Sequence, residues 1–167
     1  MRKIVILGGL ALAVFLGGCS TTGTAGHNAD DVAFAQQMIP HHRQALDMAK
    51  LVPSRSTDPK VADLANRIEK AQDPEIRQME GWLSAWGAGS GHESMHGDDM
   101  GRLEAAKGAE FDRLWLGSMI KHHQGAVEMA KTELAKGSDA GAKDLARRII
   151  DAQQAEITEM QGLLARS

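Results

Sequence analysis

Met38-Ile39-Pro40-His41-His42-Arg43-Gln44-Ala45-Leu46-Asp47-Met48-Ala49-Lys50 returns 81 residues later as Met119-Ile120-Lys121-His122-His123-Gln124-Gly125-Ala126-Val127-Glu128-Met129-Ala130-Lys131. The likeness extends outward from this stretch. Residues 31–83 lie over 112–164 without a gap, and about 22 of roughly 53 positions are identical. Asp63-Leu64-Ala65 lies over Asp144-Leu145-Ala146, and Ala71, Gln72, Glu75, Ile76 and Met79 lie over Ala152, Gln153, Glu156, Ile157 and Met160. A period this long is not that of a solenoid. It fits one helical hairpin copied once.

Each copy reads as two helices. In the first, Phe34, Met38, Ala45, Ala49 and Val52 recur at three- and four-residue steps, which is one helical stripe. Pro53 and the Ser-Arg-Ser-Thr run after it end that helix. Asp58-Pro59 reads as an N-cap with proline in the first turn. The second helix then follows Val61, Leu64, Ile68, Ala71, Glu75, Ile76, Met79 and Leu83 to an end near Trp86-Gly87. In copy two the helices run from about Arg102 to Ala135 and from about Asp139 to Leu164, with Gly137 as C-cap. Four amphipathic helices with short turns predict an all-α four-helix bundle, residues 30–87 and 102–165 together forming one domain. Pro40 and Pro74 fall inside helices and remove backbone donors, so bends are expected in copy one only, where Lys121 and Ala155 are the counterparts.

Helical arithmetic places the histidines. With Met38 at the centre of its face, His41 falls at about −60° and His42 at about +40°. Both flank the buried stripe, and small Ala45 leaves room beside them. The same holds for Met119, His122, His123 and Ala126, so the duplication predicts two His-His pairs brought together about a pseudo-twofold axis. Met48 and Met129 sit on the same faces, Asp31 and Asp112 share them, and the second helices add Glu75 and Glu156. The imidazoles of His41, His42, His122 and His123 with the thioethers of Met38, Met48, Met119 and Met129 form a donor set for soft or borderline metals, Cu(I) above all; carboxylates nearby would instead suit zinc or iron. Asp31, Asp112, Glu75 and Glu156 are candidates to orient those ligands. Against this stands plain packing: a methionine stripe is usually core, and a buried histidine usually has an ordinary hydrogen-bond partner. Four buried imidazoles need four partners, protein or metal.

Between the copies, residues 88–101 form a glycine-rich linker carrying His92, Met95, His96 and Met100. It reads either as an auxiliary metal-capture segment or as a solvated connection. Asp63 with Arg67 and Asp144 with Arg148 are surface i,i+4 pairs. Trp82, Trp86 and Trp115 read as core or end-of-bundle anchors. Phosphate loops, a nucleophile elbow and His-Glu-x-x-His are absent, and no residue is assigned a catalytic role.

The chain opens with Arg2 and Lys3, then an apolar run from Ile4 to Leu16, too short to span a bilayer as a helix. That is the pattern of an export signal. Leu16-Gly17-Gly18-Cys19 resembles a lipobox, so residues 1–18 read as a lipoprotein signal, Cys19 as the acylated N-terminus, and residues 19–29 as a flexible tether. Cys19 is the single cysteine, so no internal disulfide forms and the core alone must hold the domain. Loss of Arg2 and Lys3 with the signal takes the net charge from −3 to −5. A mildly acidic chain without a basic stripe argues against nucleic acid as partner. The expected partners are a metal ion and, through the lipid, a membrane.

Met-Ile-Pro-His-His-x-x-Ala-x-x-Met-Ala, the Trp-Gly end, and Gly-Ala-Glu-Phe-Asp-Arg-Leu-Trp-Leu-x-x-Met-Ile-x-His-His-x-Gly-Ala-x-x-Met-Ala together resemble the exported "domain of unknown function 305" family over about residues 30–165. The resemblance implies a ferritin-like four-helix bundle, and copper binding or tolerance as in some members. His41, His42, His122, His123, Met38, Met48, Met119 and Met129 occupy the matching motif positions. Three functions compete. One is a lipid-anchored protein that sequesters or passes on Cu(I). Another is a structural or interaction module of the cell envelope with a buried polar cluster. The third is a di-iron oxidoreductase, disfavoured because the residue three after Glu75 is Gln78 and three after Glu156 is Glu159, so Glu-x-x-His is missing.

Overall fold

The computed structural model of the chain describes residues 26–91 and 98–166. Cys19, His92, Met95 and His96 lie outside the described residues. The helices are α1 (Ala29–Arg55), α2 (Pro59–Ala85), α3 (Asp98–Ala105), α4 (Gly108–Lys136) and α5 (Ala140–Leu164).

Local chemistry explains most boundaries. Asn28 begins α1 with a capping box: its side chain accepts from the amides of Asp30 and Asp31, and the Asp31 carboxylate accepts from the Asn28 amide. Asp58 and Asp139 cap α2 and α5 by accepting from the amides of Lys60 and Ala142. At the end of α2, Gly87 takes φ of 67°; its amide reaches Ser84 O and that of Ala88 reaches Leu83 O, a Schellman closure.

Two boundaries depart from the expected ones. Pro53 does not end α1 but lies inside its last turn, and the helix continues to Arg55, where the Ser56 amide still reaches Val52 O. Pro40 and Pro74 lie inside α1 and α2, as expected. The helix expected from Arg102 is broken in two: α3 stops at Ala105 and α4 starts at Gly108, whose φ of 58° suits glycine and reverses the chain. The reason is burial. Leu103 and Ala106 turn into the core at the mouth of the bundle, a direction that a straight extension of α4 would not reach.

α1 packs along α2 and α4 along α5, while α1 and α4 meet at the centre; α2 and α5 scarcely touch. The apolar residues fall into two clusters. One joins the second half of α1 (Ala45, Met48, Ala49, Val52) to the first half of α4 (Phe111, Trp115, Leu116, Met119). The other joins the first half of α1 (Phe34, Ala35, Met38, Ile39) to the second half of α4 (Ala126, Ala130). α1 and α4 are therefore antiparallel, and the histidines lie between the clusters. Trp115, fully buried, donates its indole N–H to Met48 O at 3.0 Å and so ties α4 to α1. Trp82 and Trp86 stack half-buried at the other end, with His27 against Trp86.

Candidate metal centre

His41 and His42 stand at the middle of α1, His122 and His123 at the middle of α4. Antiparallel crossing brings the pairs together. The rings of His41 and His122 are in contact, with centroids 3.7 Å apart. His42 and His123 lie behind them, wholly buried. Each of these inner rings is held from the neighbouring helix: His42 Nε2 is 2.7 Å from Glu75 Oε2, and His123 Nε2 is 2.6 Å from Glu156 Oε2. A carboxylate accepts and cannot donate, so Nε2 carries a proton, and in the neutral ring Nδ1 carries a lone pair.

That lone pair has no partner. The buried ring nitrogens without a hydrogen bond are His41 Nδ1, His42 Nδ1, His123 Nδ1 and both nitrogens of His122. Burial also sets the protonation of the outer pair. Desolvation, reinforced by His42 and His123, lowers the His41 pKa to about 4. Desolvation, reinforced by His41, His123 and His42, lowers that of His122 to about 2. Both rings are neutral at pH 7 and able to donate electron pairs. Imidazole nitrogen oriented by a second carboxylate is the arrangement metal-binding histidines take.

The methionines divide into two groups. Met38 and Met119 are fully buried inside the two clusters. Met48 and Met129 reach the surface clefts beside the outer imidazoles: Met48 lines one with His41, His122 and Met100, and Met129 lines the other with His41. Among the described residues, no three His, Cys, Asp or Glu side chains stand close enough to hold a cation. A bound ion would therefore need a thioether or a small ring movement to complete its shell. Soft ions fit this set and hard ones do not.

Glu75 and Glu156 take the orienting position expected of them. Asp31 and Asp112 do not: they lie ten residues before His41 and His122, about 15 Å along a helix. Asp31 closes the far end of the bundle, accepting from the amides of Ser138 at 3.0 Å and Asp139 at 2.9 Å and from the Ser138 hydroxyl. Asp31 shares a face with the histidines, but ten residues of helical rise set it apart from them.

Two residues escaped the sequence reading. Gly125 lets α4 approach His41 so closely that a Cβ there would stand 3.1 Å from His41 Nε2; its signal was glycine inside a helical pattern. Glu133, buried opposite Asp31, has no counterpart in copy one, where Val52 occupies its place. Its signal was its place in the repeat: it overlies Val52 of the buried stripe, seven residues after Ala126.

The family profile of DUF305, a domain of unknown function, matches residues 31–164. The chain belongs to this family. Solved DUF305 structures share its fold: a Streptomyces coelicolor protein described as secreted is 31% identical with TM-score 0.78, covering 82% of this chain and 93% of that one. A fragment from Deinococcus radiodurans is 34% identical with TM-score 0.78, covering 84% and 99%. CopM in its Cu(I)-bound form is 31% identical with TM-score 0.74, covering 81% of this chain and 96% of CopM. CopM has also been solved in apo, Cu(II)-bound and Ag-bound forms. A curated relative, protein L153 of Acanthamoeba polyphaga mimivirus, is 40% identical over 50 residues; the match spans 33% of its length. The all-helical DUF305 bundle is thus established for this chain, and metal handling is a property of a neighbour within the family.

Proposed function

We propose that this DUF305 protein is an exported, lipid-anchored copper-binding protein that takes up Cu(I) between α1 and α4, for sequestration or delivery outside the cytoplasm. One observation carries the reading: four imidazoles meet in one layer, and five of their buried ring nitrogens lack a partner among the described residues. Unpaired buried polar atoms cost stability, about 1–3 kcal/mol each, and a fold that keeps five together has a ligand to offset them.

In this reading His42 and His123 bind through Nδ1, with Glu75 and Glu156 fixing their rings. His41 and His122 supply the accessible imidazoles. The two outer thioethers stand at opposite edges, Met48 at one and Met129 at the other, and Met38 and Met119 hold the inner wall. CopM, solved with Cu(I), Cu(II) and Ag, supports copper over zinc or iron. Di-iron chemistry is poorly supplied, because Glu75 and Glu156 already hydrogen-bond to histidines. Export and acylation rest on the Arg2–Cys19 pattern; among the described residues no helix is long and apolar enough to cross a membrane.

A second reading keeps the layer metal-free as a buried polar cluster of an envelope protein, favoured by the lack of a ready cation cluster among the described residues. Elemental analysis separates the readings. The purified chain, stripped and then offered Cu(I), Zn(II) and Fe(II) together, should retain copper in stoichiometric amount. Retention of iron in pairs would point to the di-iron alternative, and retention of no metal to the structural one.

A further inference from the structure

The two halves of the histidine layer are related by the repeat, so its two open edges should be alike. They are not. On one edge, Met129 and His41 face Gln36, Pro40 and Gly91. Pro40 has no amide to offer Gln36 O. The linker backbone passes so close there that a Cβ on Gly91 would stand 2.0 Å from that oxygen, and Gln36 Nε2 donates to Gly89 O at 2.8 Å. This edge offers one thioether and one imidazole, against docked backbone.

On the other edge, α3 contributes Met100, which lines a cleft of about 250 Å³ with Met48, His41 and His122. Two sulfurs and two imidazoles line this opening, and both nitrogens of His122, which does not line the first edge, are buried without a partner among the described residues. α3 has no counterpart ahead of α1 among the described residues, so Met100 breaks the symmetry. Lys121 lies on the rim of the same cleft. Its ammonium cannot coordinate, and its field opposes a divalent ion twice as strongly as a monovalent one.

We propose that the α3 edge is the entry and first holding site for a soft monovalent ion, built from Met48, Met100, His41 and His122, and that Met129 and its edge do not take part in uptake. The proposal rests on the copper-binding reading above. It turns Met100 from part of a linker into a ligand of the main centre, and it makes a symmetric sequence motif act asymmetrically. Uncharged thioethers at the opening capture Cu(I) or Ag(I) without attracting hard cations.

Ag(I), stable to oxidation, is the probe. Met100→Leu, Met48→Leu and Met129→Leu preserve side-chain volume, so packing costs stay small. Chelator competition should show Ag(I) affinity reduced roughly tenfold or more in Met100→Leu and Met48→Leu, the scale of losing an element of a metal site, and unchanged in Met129→Leu. In the unmodified chain labelled at the methionine methyls, Ag(I) should shift the Met48 and Met100 signals first; this measurement depends on no variant. Equal losses in Met100→Leu and Met129→Leu, or a first shift at Met129, would overturn the asymmetric entry while leaving copper binding intact. No Ag(I) or Cu(I) binding by the unmodified chain would overturn both.

Discussion

His42 and His123 are the most constrained residues of the layer. Each is wholly buried and each has its proton fixed on Nε2 by a carboxylate from a neighbouring helix. Glu75→Gln or Glu156→Gln would replace that acceptor with an amide that can also donate, loosening tautomer and ring angle. Cu(I) affinity should fall about 10- to 100-fold in either variant, read by chelator competition, with circular dichroism unchanged. His41 and His122 give the layer an acid limit. Folding holds their pKa values at about 4 and about 2, against 6.5 unfolded. Above pH 6.5 both states are neutral and nothing is lost; below it the unfolded chain takes up protons that the folded chain refuses, so stability falls as pH drops from 6.5 toward 4. The urea midpoint should decline over that window, and the double variant His41→Gln, His122→Gln should decline less. Glu133 has the opposite sign. Burial, with the hydrogen bond and charge of Asp31, raises its pKa to about 8 from 4.5. Burial opposes ionisation of Asp31 too, but the Asn28 amide, Glu133, Asp139 and Ser138 hold its pKa below the usual value. Asp31 is therefore the charged member of the pair and Glu133 the protonated one at pH 7. That stabilisation is present below pH 4.5 and is lost as pH rises through 8. Glu133→Gln keeps a donor without a charge, so its stability should stay flat from pH 6 to 9 where the parent weakens.

At the scale of elements, the hairpins are held by caps and by a few contacts between helices. Asn28 accepts from two amides of α1 and donates to Lys136 O at the end of α4, 2.9 Å away. Asn28→Ala should cost about 1 kcal/mol, the usual price of a lost N-cap, measured as a lower urea midpoint with an unchanged slope. Surface ion pairs deserve less weight. Arg67 with Asp63, Arg77 with Asp73 and Arg148 with Asp144 are all formed, and all are exposed; such pairs contribute a few tenths of a kcal/mol. Arg67 also reaches Glu159 on α5, bridging two helices that otherwise hardly meet.

Across the whole molecule, α1 and α4 form the spine, and the histidine layer divides the core into two apolar clusters. The first hairpin meets the second mainly through this seam, so a ligand held there joins the copies. The start of α1 lies against the α4–α5 turn, where Asn28 reaches Lys136 O and Asp31 the Ser138 amide, about half the length of α1 from the histidine layer. If Cys19 is acylated, mass spectrometry of the membrane fraction should find a diacyl or triacyl cysteine at the N-terminus. A soluble chain that begins elsewhere would refute the anchor.

The repeat, the helical faces and the caps were legible in the sequence because each depends on neighbours within one or two turns: Met38 to Met48 is a stripe whatever surrounds it, and Asp58-Pro59 starts a helix by its own chemistry. The same arithmetic put all four histidines on inward faces. Contacts between helices were not legible. Phase put Asp31 on the face of the histidines, but only the packing of α4 against α1 gives it Ser138 and Asp139 as partners. Only the antiparallel crossing decided that His41 meets His122, that Glu75 and Glu156 hold the inner rings, and that Met100 comes to one edge alone. Those relations join residues far apart in the chain, and their energy comes from burying the two clusters together, a condition that no local window of sequence contains.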